Sequence, residues 1–145
     1  MRIFIGADHR GYLLKRELIA SLPEYSWVDK GTYTQKRVDY PEFAHNVCTD
    51  LLAGEPEDRG VLICGSGIGM SIASNRFSKI YGALCWNTEV AQCAREHDGV
   101  NVLILPSNFI DTATACAVVK TFVITEFKGG IYQARLDMLD NVINK

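Results

Sequence analysis

Three short stretches of the chain hold side chains of the kinds that bind charge or move protons. The richest is Cys64-Gly65-Ser66-Gly67-Ile68-Gly69, a thiol at the head of a glycine-rich loop. Glycines at that spacing let backbone N–H groups turn onto a single point, and a helix beginning there adds the positive end of its dipole. Such a loop suits an oxyanion or a phosphate. A cysteine at its head lies in a field that favours the thiolate, a usable base or nucleophile. The plain alternative for Cys64 is a small buried apolar residue.

The second stretch is Asp8-His9-Arg10-Gly11, a polar cluster where a turn requires only Gly or Asn. It reads either as part of a ligand site or as Asp8 capping the next helix with His9 and Arg10 in solvent. The third is Arg95-Glu96-His97-Asp98-Gly99-Val100-Asn101, in which His97 could serve a site or simply favour a helix C-terminus. Cys93 and His97 stand one helical turn apart, but no other His or Cys lies at a zinc-site spacing, so no metal site is expected. His45, beside Asn46, is expected on an exposed helix face without a role.

The loop after Cys64 matches none of the common glycine motifs. The dinucleotide fingerprint needs glycine where Met70 stands, and no Asp or Glu closes the next strand to hold a ribose hydroxyl. A phosphate-binding Gly-Lys-Ser/Thr ending is missing, and a hydrolase elbow needs glycine where Cys64 stands.

These clusters must be positioned by the surrounding elements, and the hydrophobic pattern alternates strand with helix. Ile3-Phe4-Ile5 lies in a short apolar strand, Arg2 to Asp8, and Leu14, Leu18 and Leu22 then form a helical stripe. Trp27-Val28 suggests a second strand. Asp39 and Pro41 open a helix with stripes Phe43, Val47, Leu51 and Ala44, Cys48, Leu52, closed by Gly54 and Pro56. Val61-Leu62-Ile63-Cys64, Ala83-Leu84-Cys85 and Val102-Leu103-Ile104-Leu105 give three more strands, with Val90, Ala91 and Ala94 in a helix between the last two. Two further helices are expected, Thr112 to Phe127 and Tyr132 to Ile143, hinged at Gly129-Gly130. Unbroken apolar strands separated by helices predict an α/β fold, a doubly wound, Rossmann-like sheet of five parallel strands with helices on both faces. Its ligands are expected beyond the carboxyl ends of the strands.

Composition sets the broad class. With 145 residues, 48% hydrophobic and 22% charged, one globular domain over 1–145 is expected, without disorder, internal repeats or a linker. Fifteen Lys and Arg against 17 Asp and Glu give a net charge of −2 with no basic block, which argues against a nucleic-acid partner. No apolar run approaches a membrane span and no export signal is evident, so a cytoplasmic protein without a membrane partner is expected. The cysteine count, 5, is odd and includes no C-x-x-C pair, which predicts reduced thiols.

Taken together, Gly-Ala-Asp-His at 6–9, Asp39-Tyr40-Pro41, Ile63 to Gly69, Ser71-Ile72-Ala73 with Asn75, Arg95-Glu96-His97, Asn101-Val102-Leu103 and Gly129-Gly130 with Arg135 resemble one family. This is the ribose-5-phosphate isomerase B group of the sugar-phosphate isomerase superfamily, which also holds the galactose-6-phosphate isomerase subunits. The resemblance spans nearly the whole chain. It implies an aldose–ketose isomerase that interconverts ribose 5-phosphate and ribulose 5-phosphate through an enediolate, without metal or organic cofactor. Cys64 falls at the position of the catalytic base, Ser66 and the backbone of Gly65, Gly67, Ile68 and Gly69 at the oxyanion site, and His97 at the residue that assists ring opening. Asp8 matches a ligand of sugar hydroxyls, His9 and Arg135 match phosphate ligands, and Tyr40 lines the pocket. The resemblance also implies a homodimer or homotetramer with sites shared between subunits.

Four residues, at three places in the chain, depart from the family pattern. Asp98 stands where Asn is usual, Ile131-Tyr132 where Arg-His usually follows the two glycines, and Asn108 where another phosphate-binding arginine is expected. Weaker phosphate binding would follow, with Arg10, Arg76 or Lys79 as candidate substitutes. Two alternatives stay open at this point: an isomerase of allose 6-phosphate or galactose 6-phosphate, and a sugar-phosphate-binding protein that has lost catalysis.

Overall fold

The computed structural model describes residues 1–143. A five-stranded sheet runs in the order β2-β1-β3-β5-β4, every neighbouring pair parallel. The strands are β1 (Ile3–Ala7), β2 (Trp27–Asp29), β3 (Arg59–Cys64), β4 (Gly82–Leu84) and β5 (Val102–Pro106). The helices are α1 (Tyr12–Ser21), α2 (Tyr40–Leu52), α3 (Ile68–Ser74), α4 (Thr88–Asp98), α5 (Thr112–Ile124) and α6 (Ile131–Ile143).

Side chains alternate across the sheet, as strand geometry requires. Ile3, Ile5, Val61, Ile63, Leu103 and Leu105 meet α1, α4 and α5 on one face. Phe4, Leu62, Cys64, Val102 and Ile104 meet α2 and α3 on the other. Both faces are covered, so β1, β3 and β5 carry apolar residues at nearly every position. This is the doubly wound α/β architecture that the hydrophobic pattern predicts.

Chain direction sets where a ligand can sit. After β1 the chain moves outward to β2, returns across β1 to β3, and continues to the other side of the sheet. The connections after β1 and β3 therefore leave toward opposite faces, α1 on one and α3 on the other. Divergence of this kind opens a crevice at the carboxyl ends of the two strands.

Local hydrogen bonds move some element boundaries from those expected. Helix α5 stops at Ile124, not Phe127, because Thr125 turns extended and its hydroxyl bonds to the Thr121 carbonyl at 2.7 Å. The Thr125 carbonyl then accepts from Arg95 Nε at 3.2 Å. Leu22 lies just beyond α1 yet is buried, while Leu52, counted in a core stripe, is exposed at the end of α2. Strand β4 is an edge strand and only partly covered. Caps invisible to the periodicity begin two helices: Asn87 accepts from the Val90 N–H at 2.8 Å and Asp111 from the Thr114 N–H at 2.7 Å. At the C-terminal end, Asp140 bonds the Lys79 ammonium and, at 2.8 Å, the Tyr81 hydroxyl, fastening α6 beside the start of β4.

Asp58 fastens the segment before β3 to the chain's start. It is buried and accepts from the Arg2 backbone N–H at 2.6 Å, from the Arg2 guanidinium at 3.1 and 2.6 Å, and from the Glu55 N–H at 3.0 Å. The bond from the Arg2 side chain is the main reason this carboxyl is held well below the usual carboxylate range, with the two backbone N–H bonds adding to it. A folded-state value below the unfolded one stabilises the protein fully above about pH 4, the unfolded range, and that contribution fades as pH falls toward the folded value. Asp58→Asn is expected to cost about 1–3 kcal/mol at pH 7 in urea unfolding. It should also flatten the loss of stability below pH 4; an unchanged acid profile would remove Asp58 as its source.

Candidate active site

Strands β1 and β3 lie side by side, Ala7 opposite Ile63, and their carboxyl ends deliver Asp8 and Cys64 to the crevice. The Asp8 N–H extends the pairing by donating to the Ile63 carbonyl at 3.2 Å. The buried Asp8 carboxylate accepts through Oδ1 from the N–H groups of Arg10 at 2.9 Å and Gly11 at 3.1 Å. Helix α1 starts after this turn, with Gly11 at its N-cap and no side-chain cap. Asp8 thus braces its own turn and does not cap the helix.

A cleft of about 340 Å³ opens there, walled by Asp8, Arg10, Tyr40, Cys64, Gly65, Ser66, Gly69 and Asn108. Cys64 is 5% exposed and points to the α2/α3 face, where its side chain is part of the cleft wall. Gly67 follows with φ of +76°, a left-handed conformation open to glycine, and its N–H donates to Cys64 Sγ at 3.2 Å. A Cβ at Gly67 would lie 2.4 Å from Leu84 Cδ1, so the loop has no space for one. The Ile68 N–H is taken by Ser66 Oγ at 3.2 Å, and α3 begins at Ile68.

Cys48 and Cys85 show the contrasting environment. Both are closed off in the core, and burial pushes each thiol up to about 12. Neither lines the cleft.

The remaining walls come from neighbouring elements. Tyr40 opens α2, and its ring lies so close to the backbone of Gly69 that a Cβ there would stand 2.8 Å from Cζ. Asn108 follows β5, where its N–H donates to the Gly65 carbonyl at 2.9 Å. Ser107 Oγ lies 3.0 Å from the Arg10 carbonyl and 3.1 Å from the Cys64 carbonyl, joining the loops after β1, β3 and β5. His9 is off the wall, its Nδ1 3.2 Å from the Val38 carbonyl and 3.3 Å from the Val38 amide nitrogen. Gly67 shapes the loop from below, and Ile68 faces solvent.

Three residues that the sequence assigns to the site lie elsewhere in the chain. Helix α4 runs back from the carboxyl edge of the sheet, and its 11 residues carry His97 and Asp98 ~16 Å away at 1.5 Å per residue. There His97 stacks on Tyr132, ring centroids 4.8 Å apart, and the Arg135 guanidinium covers the same ring at 5.6 Å. Tyr132, which the sequence marks only as a departure from the family's Arg-His after Gly129-Gly130, organises this group. Asp98 borders a separate hollow with Tyr81 and Leu136. One chain therefore gathers Asp8, Tyr40, Cys64, the glycine loop and Asn108 at one edge and His97 with Arg135 at the other. Among the described residues, no group of three or more His, Cys, Asp or Glu side chains is gathered where a metal could be held. None of the helices there is long and apolar enough to cross a membrane.

Comparison with known proteins gives one consistent result. The Ribose/Galactose Isomerase family model matches residues 3–139. Ribose-5-phosphate isomerase B of Escherichia coli is 37% identical over 140 residues, covering 95% of this chain and 93% of that protein. Among solved structures, the ribose-5-phosphate isomerase B of Clostridium thermocellum superposes with a TM-score of 0.95 at 38% identity, over 99% of this chain and 98% of that one. The Mycoplasma genitalium ribose-5-phosphate isomerase B, solved with bound ribulose 5-phosphate, gives 0.92 at 34% identity over 99% and 97%.

The turn at Gly67 can be tested directly. Gly67→Ala forces a side chain into a left-handed backbone against Leu84 and is expected to destabilise the fold by about 1–3 kcal/mol in urea. It should also slow iodoacetamide alkylation of Cys64 at neutral pH, since the N–H on the sulfur is displaced. Wild-type alkylation in a folded variant would show that this bond does not govern the thiol.

Proposed function

The chain belongs to the Ribose/Galactose Isomerase family, and from that premise we propose that it interconverts ribose 5-phosphate and ribulose 5-phosphate with Cys64 as the base. The observation that carries the assignment of the base is the position of Cys64. It is the thiol on the wall of the switch-point cleft, with a backbone N–H on its sulfur.

The chemistry is internally balanced. The Cys64 thiolate takes the proton from C2 of the open-chain aldose; that C–H pair becomes the C1–C2 double bond and the carbonyl pair moves onto O1. The thiol returns the proton to C1 while the hydrogen on O2 passes to O1, so that O1 ends as a hydroxyl and O2 as the ketone oxygen. C1 is reduced as C2 is oxidised, so no external electron carrier enters. Of the loop groups, Ser66 and the Gly65 and Gly69 backbone on the cleft wall are assigned to the developing negative oxygen, since the N–H groups of Gly67 and Ile68 are already engaged by Cys64 Sγ and Ser66 Oγ. Such fixed dipoles usually supply the largest single contribution to the rate. Asp8, whose Oδ2 takes no bond from the chain among the described residues, is assigned to sugar hydroxyls. Tyr40 and Asn108 are assigned to the walls, and His9 to the phosphate side.

His97 and Arg135 require a second copy of the chain. In the proposed homodimer each cleft is completed by the His97–Tyr132–Arg135 group of the neighbouring subunit, with His97 assisting ring opening, Arg135 contacting phosphate and Asp98 near the sugar. Support comes from the separation of the two groups within one chain and from apolar side chains left uncovered. These are Ile68 and Ile72 on α3 and Ile131, Met138, Leu139 and Val142 on α6. Residues 1–145 then act as one isomerase domain in a cytoplasmic enzyme.

Cys64→Ala is expected to lower kcat for ribose 5-phosphate by at least about 10²–10⁴-fold with an unchanged circular dichroism spectrum. Unchanged turnover would remove Cys64 as the base, and no ribulose 5-phosphate from the wild-type enzyme at millimolar substrate would remove the activity.

Shared sites make a separate prediction. Mixing inactive Cys64→Ala with impaired His97→Ala under subunit exchange should restore activity, because each mixed dimer holds one intact site. No recovery despite demonstrated exchange would place both groups in the same subunit's site.

A further inference from the structure

The cleft that holds Cys64 has one cationic side chain in its wall, Arg10, and one carboxylate, Asp8. Arg10 is exposed, and no ion pair engages it among the described residues. Its backbone is held at both ends, the N–H on Asp8 Oδ1 at 2.9 Å and the carbonyl facing Ser107 Oγ at 3.0 Å. The side chain leaves this fixed base and crosses over Gly65. A Cβ on Gly65 would stand 2.8 Å from Arg10 Cδ and 2.9 Å from Asn108 Nδ2. The glycine therefore provides the lane in which the arginine stem and the Asn108 carboxamide lie together.

On its other side Arg10 borders a second groove that includes Glu17 and Asp111. Both carboxylates are otherwise engaged, Glu17 with the Thr112 hydroxyl and Asp111 with the Thr114 N–H. Other basic side chains near the glycine loop do not supply charge to the cleft: Lys79 is paired with Asp140, and Arg76 is absent from the wall. A cleft that binds a phosphorylated sugar needs a countercharge, and a planar guanidinium offers paired donors to phosphate oxygens.

We propose that Arg10 is the specificity-determining residue of this cleft, binding the substrate's phosphate group with the Asn108 side-chain amide beside it. This rests on the sugar-phosphate reading above and adds the group that recognises the anion within the subunit carrying Cys64. Arg10 acts on binding, so its loss falls on KM, whereas a residue needed for proton transfer acts on kcat.

The experiment compares the wild-type enzyme with Arg10→Gln and Arg10→Lys. Turnover of ribose 5-phosphate is measured alongside protection of Cys64 from iodoacetamide by inorganic phosphate. Arg10→Gln is expected to lower kcat/KM by about 10- to 100-fold, through KM, as loss of a charged hydrogen-bond partner implies. Phosphate protection should weaken by a similar factor, and Arg10→Lys should restore part of both. The side chain is exposed, and circular dichroism checks that both variants fold. A folded Arg10→Gln variant with wild-type KM and wild-type phosphate protection overturns the proposal. If the wild-type enzyme turns over no ribose 5-phosphate, the activity reading fails instead, and the protection assay still decides for or against Arg10 as the anion-binding group.

Discussion

The left-handed turn at Gly67 is the constraint around which the cleft is built. It folds the chain back so that its own N–H meets the sulfur three residues earlier, and it directs α3 away from the end of β3. The same turn lies against Leu84 of the edge strand, with no room for a side chain. Sheet packing and the setting of the thiol are thus one geometric condition: whatever moves the edge strand against the loop also moves the donor on Cys64.

Around that turn, backbone hydrogen bonds matter as much as side chains. The loops after β1, β3 and β5 are joined through Ser107 Oγ, the Asn108 N–H and the Gly65 carbonyl. Asp8 uses one oxygen to close its own turn. Groups fixed in advance do not have to reorganise when charge develops, which is the physical advantage of such a site over one assembled by flexible loops. The three buried cysteines show how much position counts, since Cys48 and Cys85 are sealed in the core where desolvation disfavours the thiolate, whereas Cys64 meets both a cavity and an N–H.

A small parallel sheet also restricts what one subunit can do. Strands deliver side chains to their carboxyl edge, and every returning helix ends at the opposite edge. His97, Tyr132 and Arg135 collect at that far edge because α4 ends and α6 begins there. The proposed dimer follows from this topology: a group at the amino edge reaches a carboxyl-edge cleft only when a second molecule presents it.

Much of this was legible in the sequence because the physics behind it is local. Unbroken apolar runs at 3–5, 61–64 and 102–105 read as strands covered on both faces, and the glycines after Cys64 already mark the turn found at Gly67. Element ends were less legible, since Thr125 stops α5 through bonds to Thr121 and Arg95 that no periodicity encodes. Proximity between distant segments was not written there either. Strand order decides that the loops after β1 and β3 share a crevice, that Arg10 passes over Gly65 toward Asn108, and that His97 stands at the other edge. Residue types and spacing set which chemistry the chain can perform; the parallel register and the direction of each crossover, which depend on contacts between residues far apart in the chain, decided which of those residues meet.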